Sequence, residues 1–271
     1  MRREVLFFIF MFLVGFCFLA TGTKRCNAQK QTFAPQKVKT NEVKALKPNL
    51  PKAFPSKYPS HVSLAYLPLK ERKKEFIKLM LPLIQEANKE VLEERKFLLS
   101  IKDKKNLTLE EQEKLRKLEK KYRTSSLKEL MKRVDAVPTS LVLAQAAIES
   151  GWGTSRFFTE ANNAFGIYAY SKEAKVKCLK ARESEACLKV YPNLLESVKD
   201  YIYNINVGWA YRDFREARSR GASLDILVKE LEKYSALGKQ YTELVQNVIK
   251  NNNLTAYDSY ALSFTGSSSS R

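Results

Sequence analysis

Histidine is nearly absent from this chain: His61 is the only one in 271 residues. It falls at the far end of a proline-rich stretch, which removes a Ser-His-Asp triad, a Cys-His pair and a His-rich metal site from consideration. Cysteine is also scarce, with four residues, which argues against a zinc hydrolase. What remains is carboxylate chemistry that needs no cofactor and no metal. Acidic residues are few as well, 29 against 48 Lys and Arg, for a net charge of +19. Such an excess favours polyanions: nucleic acid, anionic lipid headgroups, or a carboxylate-bearing wall polymer.

Long apolar runs are confined to one place. Arg2 and Arg3 precede the stretch 5–20, and Cys26-Asn27-Ala28 follows it. The run is shorter than the roughly 20 residues of a transmembrane helix, and a small residue at Ala28 suits a signal-peptidase site, so residues 1–28 read as a secretory signal. An uncleaved signal would instead anchor the chain at the inner membrane. Export to the periplasm or cell envelope argues against nucleic acid as partner. Five of the nine prolines, Pro35, Pro48, Pro51, Pro55 and Pro59, fall in residues 29–60 among lysines, which makes an extended tether.

Residues 61–124 read as a charged helical extension. Phe76, Ile77, Met80, Leu83, Ile84, Ala87 and Val91 form one apolar stripe, in which Pro82 should kink the helix or mark its start. Thr108 with Glu111 is a capping box for a second helix carrying Leu115, Leu118 and Tyr122. Ser126 with Glu129 opens a third.

The stretch 141–166 organises the rest. Between Leu141 and Ile148 only Gln145 is strongly polar, so this helix should be buried nearly all round. Glu149 falls on the face of Gln145, Val142 and Leu141, and Gly151 and Gly153 end the helix just beyond it. The negative end of the helix dipole and an apolar wall both oppose ionisation there. A proton retained near neutral pH is what a general acid needs. Trp152 adds an aromatic surface suited to sugar rings, while Asn162, Asn163, Phe165 and Gly166 add amides, a ring and a tight turn.

These residues carry a resemblance. AAIESGWGTS at 146–155, followed by NNAFGIYAY at 162–170, resembles the signature of the glucosaminidases that cleave bacterial cell-wall glycan, glycoside hydrolase family 73. The helical extension and the run YIYNINVGWAYRDFREAR are most similar to the Bax-like branch. The resemblance spans residues 128–252 and implies a mainly α, lysozyme-like domain with a small β-hairpin lobe, here carrying the N-terminal helical extension. It implies peptidoglycan glycan strands as substrate and Glu149 as catalytic acid. Trp152, Asn163, Phe165 and Tyr168 are the expected substrate-binding residues.

From 167 to 191 β-formers appear, and Cys178 and Cys187 flank a polar stretch. In an exported protein they should form a disulfide across a β-hairpin. Where the family has a second acidic residue it lies in this lobe, and Glu173, Glu183 and Glu185 are candidates, with Glu183 preferred near the hairpin tip. Without one, the substrate's acetamido group could be the nucleophile. Asn193 and Glu196 should cap a helix over 194–207, and Ser223 another ending at Lys233. Tyr201, Tyr203, Trp209 and Tyr211 are aromatic enough to line a sugar cleft. Tyr234, opening the run that ends at Tyr241, resembles the first residue of the family's late tyrosine motif, with Gly238 where proline usually stands; that match gives Tyr234 an assisting role in catalysis. Residues 125–253 should be the catalytic domain and 254–271 a flexible tail.

The expected activity is cleavage of the β-1,4 bond between N-acetylglucosamine and N-acetylmuramic acid. A lytic transglycosylase and a non-catalytic glycan-binding scaffold are the rivals.

Overall fold

A computed structural model describes residues 59–169, 177–181 and 186–258. The chain is mainly α with one small antiparallel sheet, the fold class expected. The signal segment, most of the tether, and Glu173, Glu183 and Glu185 lie outside the described residues. Among the described residues no helix is long and apolar enough to cross a membrane.

Helix α1 (Leu69–Ile101) runs for 33 residues and buries Phe76, Met80, Leu83, Ile84, Ala87 and Val91. Pro82 lies inside it and so does not mark its start, one of the two outcomes expected. Proline removes the bond to the carbonyl of Lys78, but Pro82 and Lys78 both face solvent, where an unpaired carbonyl costs little. Helix α2 (Leu109–Tyr122) opens on the Thr108–Glu111 capping box and α3 (Leu127–Arg133) on Ser126. Helix α1 packs on the central helix and shares one apolar core with it.

That central helix, α4 (Thr139–Ser150), is buried along nearly its whole length; Leu141, Val142, Leu143, Ala144 and Ala146 are at most 1% exposed. Burying each of its larger side chains contributes roughly 1.5–3 kcal/mol. Asn88 of α1 holds the approach to α4 by donating to Val137 O at 2.8 Å and accepting from Val137 N at 3.0 Å. Pro138 offers the helix no side-chain cap. The cap comes from the far end of the chain: Asp258 accepts from Ser140 N and Ser140 Oγ at 2.8 and 2.7 Å. The flexible tail therefore does not begin at 254, because Leu254 is fully buried in a 3-10 turn, Leu254–Tyr257, and Asp258 is bonded.

Helix α5 (Arg156–Ala161) starts at Ser155, and strands β1 (Cys178–Lys180) and β2 (Cys187–Lys189) make the lobe. Their register sets Cys178 opposite Lys189 and Cys187 opposite Lys180. The disulfide joins them along the diagonal, with Cα atoms 5.5 Å apart, not straight across the ladder. Helix α6 (Leu194–Val207) is capped by Asn193 as expected. Helices α7 (Arg212–Ser219), α8 (Leu224–Lys229) and α9 (Lys239–Asn251) complete the fold. Helix α8 stops at Lys229, short of Lys233, because the chain tightens into a 3-10 turn, Glu232–Tyr234, that brings Tyr234 inward.

Candidate active site

Glu149 sits in the last turn of α4, which closes on Gly151 in the left-handed conformation. Gly151, Trp152 and Gly153 have φ of 58°, 59° and 78° in succession. A β-carbon on Gly153 would press on Leu64 and Phe158 at 3.1–3.3 Å, so glycine is required there for both conformation and space. Ser150 ties the turn to the helix: its Oγ donates to Ala146 O at 2.6 Å and accepts from Gly153 N at 3.0 Å. The carboxylate is thus held on a rigid element at a sharp reversal of the chain.

Its environment is a fixed series of hydrogen bonds. Tyr201 Oη donates to Gln145 Oε1, and Gln145 Nε2 donates to Tyr241 Oη at 3.0 Å. Tyr241 Oη in turn donates to Glu149 Oε1 at 2.7 Å. Each buried polar atom in this series has a partner, which the low-dielectric interior demands. Burial pushes the Glu149 carboxyl up to about 7, and the Tyr241 hydrogen bond pulls in the opposite direction. Burial also raises the phenols of Tyr201, Tyr234 and Tyr241 well above the ordinary value, so all three stay neutral donors at physiological pH.

The rings pack as a cluster beneath this site. Phe165 stacks on Tyr201 at 4.1 Å, Tyr234 stacks on Tyr241 at 5.3 Å, and Tyr234 meets both Tyr201 and Tyr211 at 6.2 Å. Tyr234 packs in the ring cluster around Tyr241, 7% exposed, and its hydroxyl makes no hydrogen bond among the described residues. The phenol bonded to Glu149 is instead Tyr241, at the other end of the same tyrosine run. Sequence reasoning singled out the first tyrosine of that run; the helical register of α9, which turns Tyr241 into the core, was the signal for the second.

The expected substrate-binding residues divide. Asn163 is 1% exposed, and its amide is spent on Ile167 O, Lys189 O and Ile167 N. It joins the turn after α5 to strand β2 and offers no donor to a ligand. Phe165 is 3% exposed beneath Tyr201 and belongs to the core. These two placements correct the expectation: Asn163 and Phe165 are structural, one tying the turn to the lobe and the other packed in the core. Trp152 is half-buried, edge-on to Phe76 at 5.5 Å, with Lys73 Nζ 5.0 Å from its ring centre, so α1 already covers part of its surface. Tyr168 bridges to Leu188 of β2. Glu183 lies outside the described residues. No cluster of three His, Cys, Asp or Glu that could hold a metal occurs among the described residues.

The sequence profile of the glucosaminidases described as mannosyl-glycoprotein endo-beta-N-acetylglucosaminidase matches residues 124–254. Protein bax of Escherichia coli (strain K12) is 31% identical over 200 residues, spanning 67% of this chain and 70% of that protein. The crystal structure of the catalytic domain of the autolysin Auto from Listeria monocytogenes superposes with a TM-score of 0.43 at 20% identity, covering 72% of this chain and 90% of that one. On the Protein bax match and the profile together, the chain belongs to the glucosaminidase family, glycoside hydrolase family 73, in its Bax-like branch.

Proposed function

We propose that this protein is an exported peptidoglycan hydrolase that cleaves the β-1,4 bond between N-acetylglucosamine and N-acetylmuramic acid, with Glu149 as general acid. Family membership supports glycoside hydrolysis of cell-wall glycan. The observation that carries the finer reading is the state of Glu149: a carboxyl at the end of a buried helix, raised to about 7 by burial and oriented by one phenol. At pH 7 such a group is about half protonated, whereas a carboxyl of ordinary pKa holds a proton in only a few molecules per thousand.

Tyr241 donates to Oε1, so the proton of the neutral acid resides on Oε2. Oε2 would pass it to the glycosidic oxygen as the C1–O bond breaks. The carboxylate left behind receives the Tyr241 hydrogen bond more strongly than the acid did, which favours proton release at that moment. Burial keeps the acid loaded and Tyr241 helps it discharge.

Glycoside hydrolysis usually needs a second carboxylate. Among the described residues none enters the electrostatics of Glu149. The nucleophile or base is then Glu183 or a neighbouring acid outside the described residues, or the substrate's own acetamido oxygen, which would attack C1 and be displaced by water. Tyr234, whose hydroxyl makes no hydrogen bond to the described residues, would position the acetamido group or that water. The disulfide supports passage through an oxidising compartment, in keeping with the signal-like residues 1–28.

Mass spectrometry of sugar ends released from purified peptidoglycan tests this reading. Reducing N-acetylglucosamine ends that vanish with Glu149→Gln are expected. Anhydro-muramic ends would make the protein a lytic transglycosylase, and glycan binding without any release would make it a scaffold.

A further inference from the structure

Away from Glu149, an open cavity of about 530 Å³ lies where the end of α6 turns into α7. Gly208 makes that turn: a β-carbon there would lie 2.8 Å from Asn204 O and 2.9 Å from the Tyr211 ring. The 3-10 turn that follows, Trp209–Tyr211, has two faces. Tyr211 points inward, 6.2 Å from the ring of Tyr234. Trp209 points outward, is 61% exposed, and lines the cavity.

The cavity also holds a buried cation. Arg215 lines it while only 2% exposed. Its Nη1 donates to Ile205 O and Gly208 O at 3.0 and 2.7 Å, and its Nε is buried with no partner. No carboxylate forms an ion pair with it among the described residues. The other charges lining the cavity are three cations against two acids: Arg133 pairs with Glu129 at 2.9 Å, while Arg212 at 3.2 Å and Lys233 at 3.8 Å share Asp213. A buried guanidinium without an acid is costly to maintain and is the residue type best suited to grip an oxyanion. With Arg215 the lining holds four cations and two acids, an excess that an oxyanion would offset, and Trp209 beside them suits a ligand that also carries an apolar part.

We propose that this cavity binds the free carboxylate of a short peptide, with the oxyanion against Arg215 and Arg212 and the peptide's apolar part against Trp209. Its natural source would be the peptide carried by the wall glycan. That assignment of source rests on the hydrolase reading above, but the binding itself does not. The peptide would then be held on the outer side of the same turn whose inner side supports the Tyr234–Tyr241 stack.

The test uses the full chain and no glycan, so its failure and a failure to hydrolyse glycan are separate results. N-acetyl-Ala-Ala, its C-terminal amide and inorganic phosphate are titrated in turn while the two tryptophan indole signals are followed by NMR. The acid should perturb the Trp209 indole and bind about 10–100-fold more tightly than the amide, the span expected of a charge-assisted contact. Arg212→Glu and Trp209→Ala, at exposed positions, should each weaken the acid at least about tenfold while thermal melts show the fold intact. Arg215 is left in place because it also closes α6. Equal binding of acid and amide, indifference to either substitution, or phosphate binding as tightly as the peptide would overturn the proposal.

Discussion

Tyr241 Oη donates to Oε1 of Glu149 across 2.7 Å and itself accepts from Gln145 Nε2 at 3.0 Å. One hydroxyl thus joins the tip of α4 to its middle, and Glu149 can change charge without losing its position. Replacing Tyr241 by Phe removes the one interaction that lowers the Glu149 pKa. As the proposed general acid Glu149 must be protonated to work, so activity should fall as pH rises through about 7, and in Tyr241→Phe that basic limb should move to higher pH. The turnover number should drop at least about tenfold. Gln145 Nε2, left as a buried orphan donor, should cost about 1–3 kcal/mol of stability. A pH–rate profile beside a denaturant melt checks both; an unmoved basic limb would remove Tyr241 from the proton's control.

The raised Glu149 pKa has a signature in stability as well. The folded acid holds its proton up to about 7, against an unperturbed value of 4.5. Between those values the native state binds more protons than the unfolded state, so stability declines as pH rises through that window. Glu149→Gln keeps an oxygen to accept from Tyr241 but never ionises. The variant should therefore be more stable than the parent at pH 8, by about 2 kcal/mol after allowance for the group's partial exposure, and the gap should close towards pH 4. Thermal melts across that range measure it, and a variant less stable at pH 8 would contradict the burial argument.

Tyr234 and Tyr241 stack on each other at 5.3 Å, yet they should respond differently to loss of the hydroxyl. The Tyr234 hydroxyl makes no hydrogen bond among the described residues, so Tyr234→Phe should shift stability by less than about 0.5 kcal/mol. If this phenol positions the acetamido group or water, turnover should still fall roughly 10–100-fold. Kinetics and melts on the pair of Phe variants separate the roles. Unchanged turnover in Tyr234→Phe would leave it a packing residue.

Helix α4 and its glutamate were legible in the sequence because burial, Gln145 and the Gly-Trp-Gly turn all lie within one contiguous stretch. The caps at Thr108, Ser126 and Asn193 were legible for the same local reason. What escaped depends on contacts between distant segments. An amide such as Asn163 looks the same in sequence whether it faces a sugar or is spent on Ile167 and Lys189. Pro82 looks like a helix breaker until packing shows that its face is solvent. Tyr241 was visible in the tyrosine run, but which of its two phenols meets Glu149 depends on how a 3-10 turn delivers one and α9 delivers the other.

The diagonal disulfide holds a lobe whose two strands are three residues each. So short a ladder has little cooperative stability of its own. Closing the loop between Cys178 and Cys187 contributes roughly 2–3 kcal/mol through the unfolded chain's entropy. Cys178→Ser with Cys187→Ser, or reduction by dithiothreitol, should lower stability by that order while the far-UV circular dichroism, dominated by helices, stays nearly constant. If the lobe supplies the second catalytic group or binds glycan, activity should fall more steeply than the melt. Parallel losses would make the bridge only a staple.

The cap on α4 is contributed by a residue that sequence reading assigned to a tail. Ser140 N and Oγ both give their hydrogens to Asp258, at 2.8 and 2.7 Å, in the first turn of the helix that ends in Glu149. Unpaired amides at a helix start are orphan donors, and the positive end of the helix dipole favours a carboxylate there. Loss of such a cap costs about 1–2 kcal/mol. Asp258→Ala should show that loss, and Asp258→Asn, which keeps one accepting oxygen and gives up the charge, should recover part of it. Truncation after Asp258 should preserve stability, whereas truncation after Tyr257 should match the alanine variant. Equal melts for the two truncations would mean that water at Ser140 serves as well as the carboxylate.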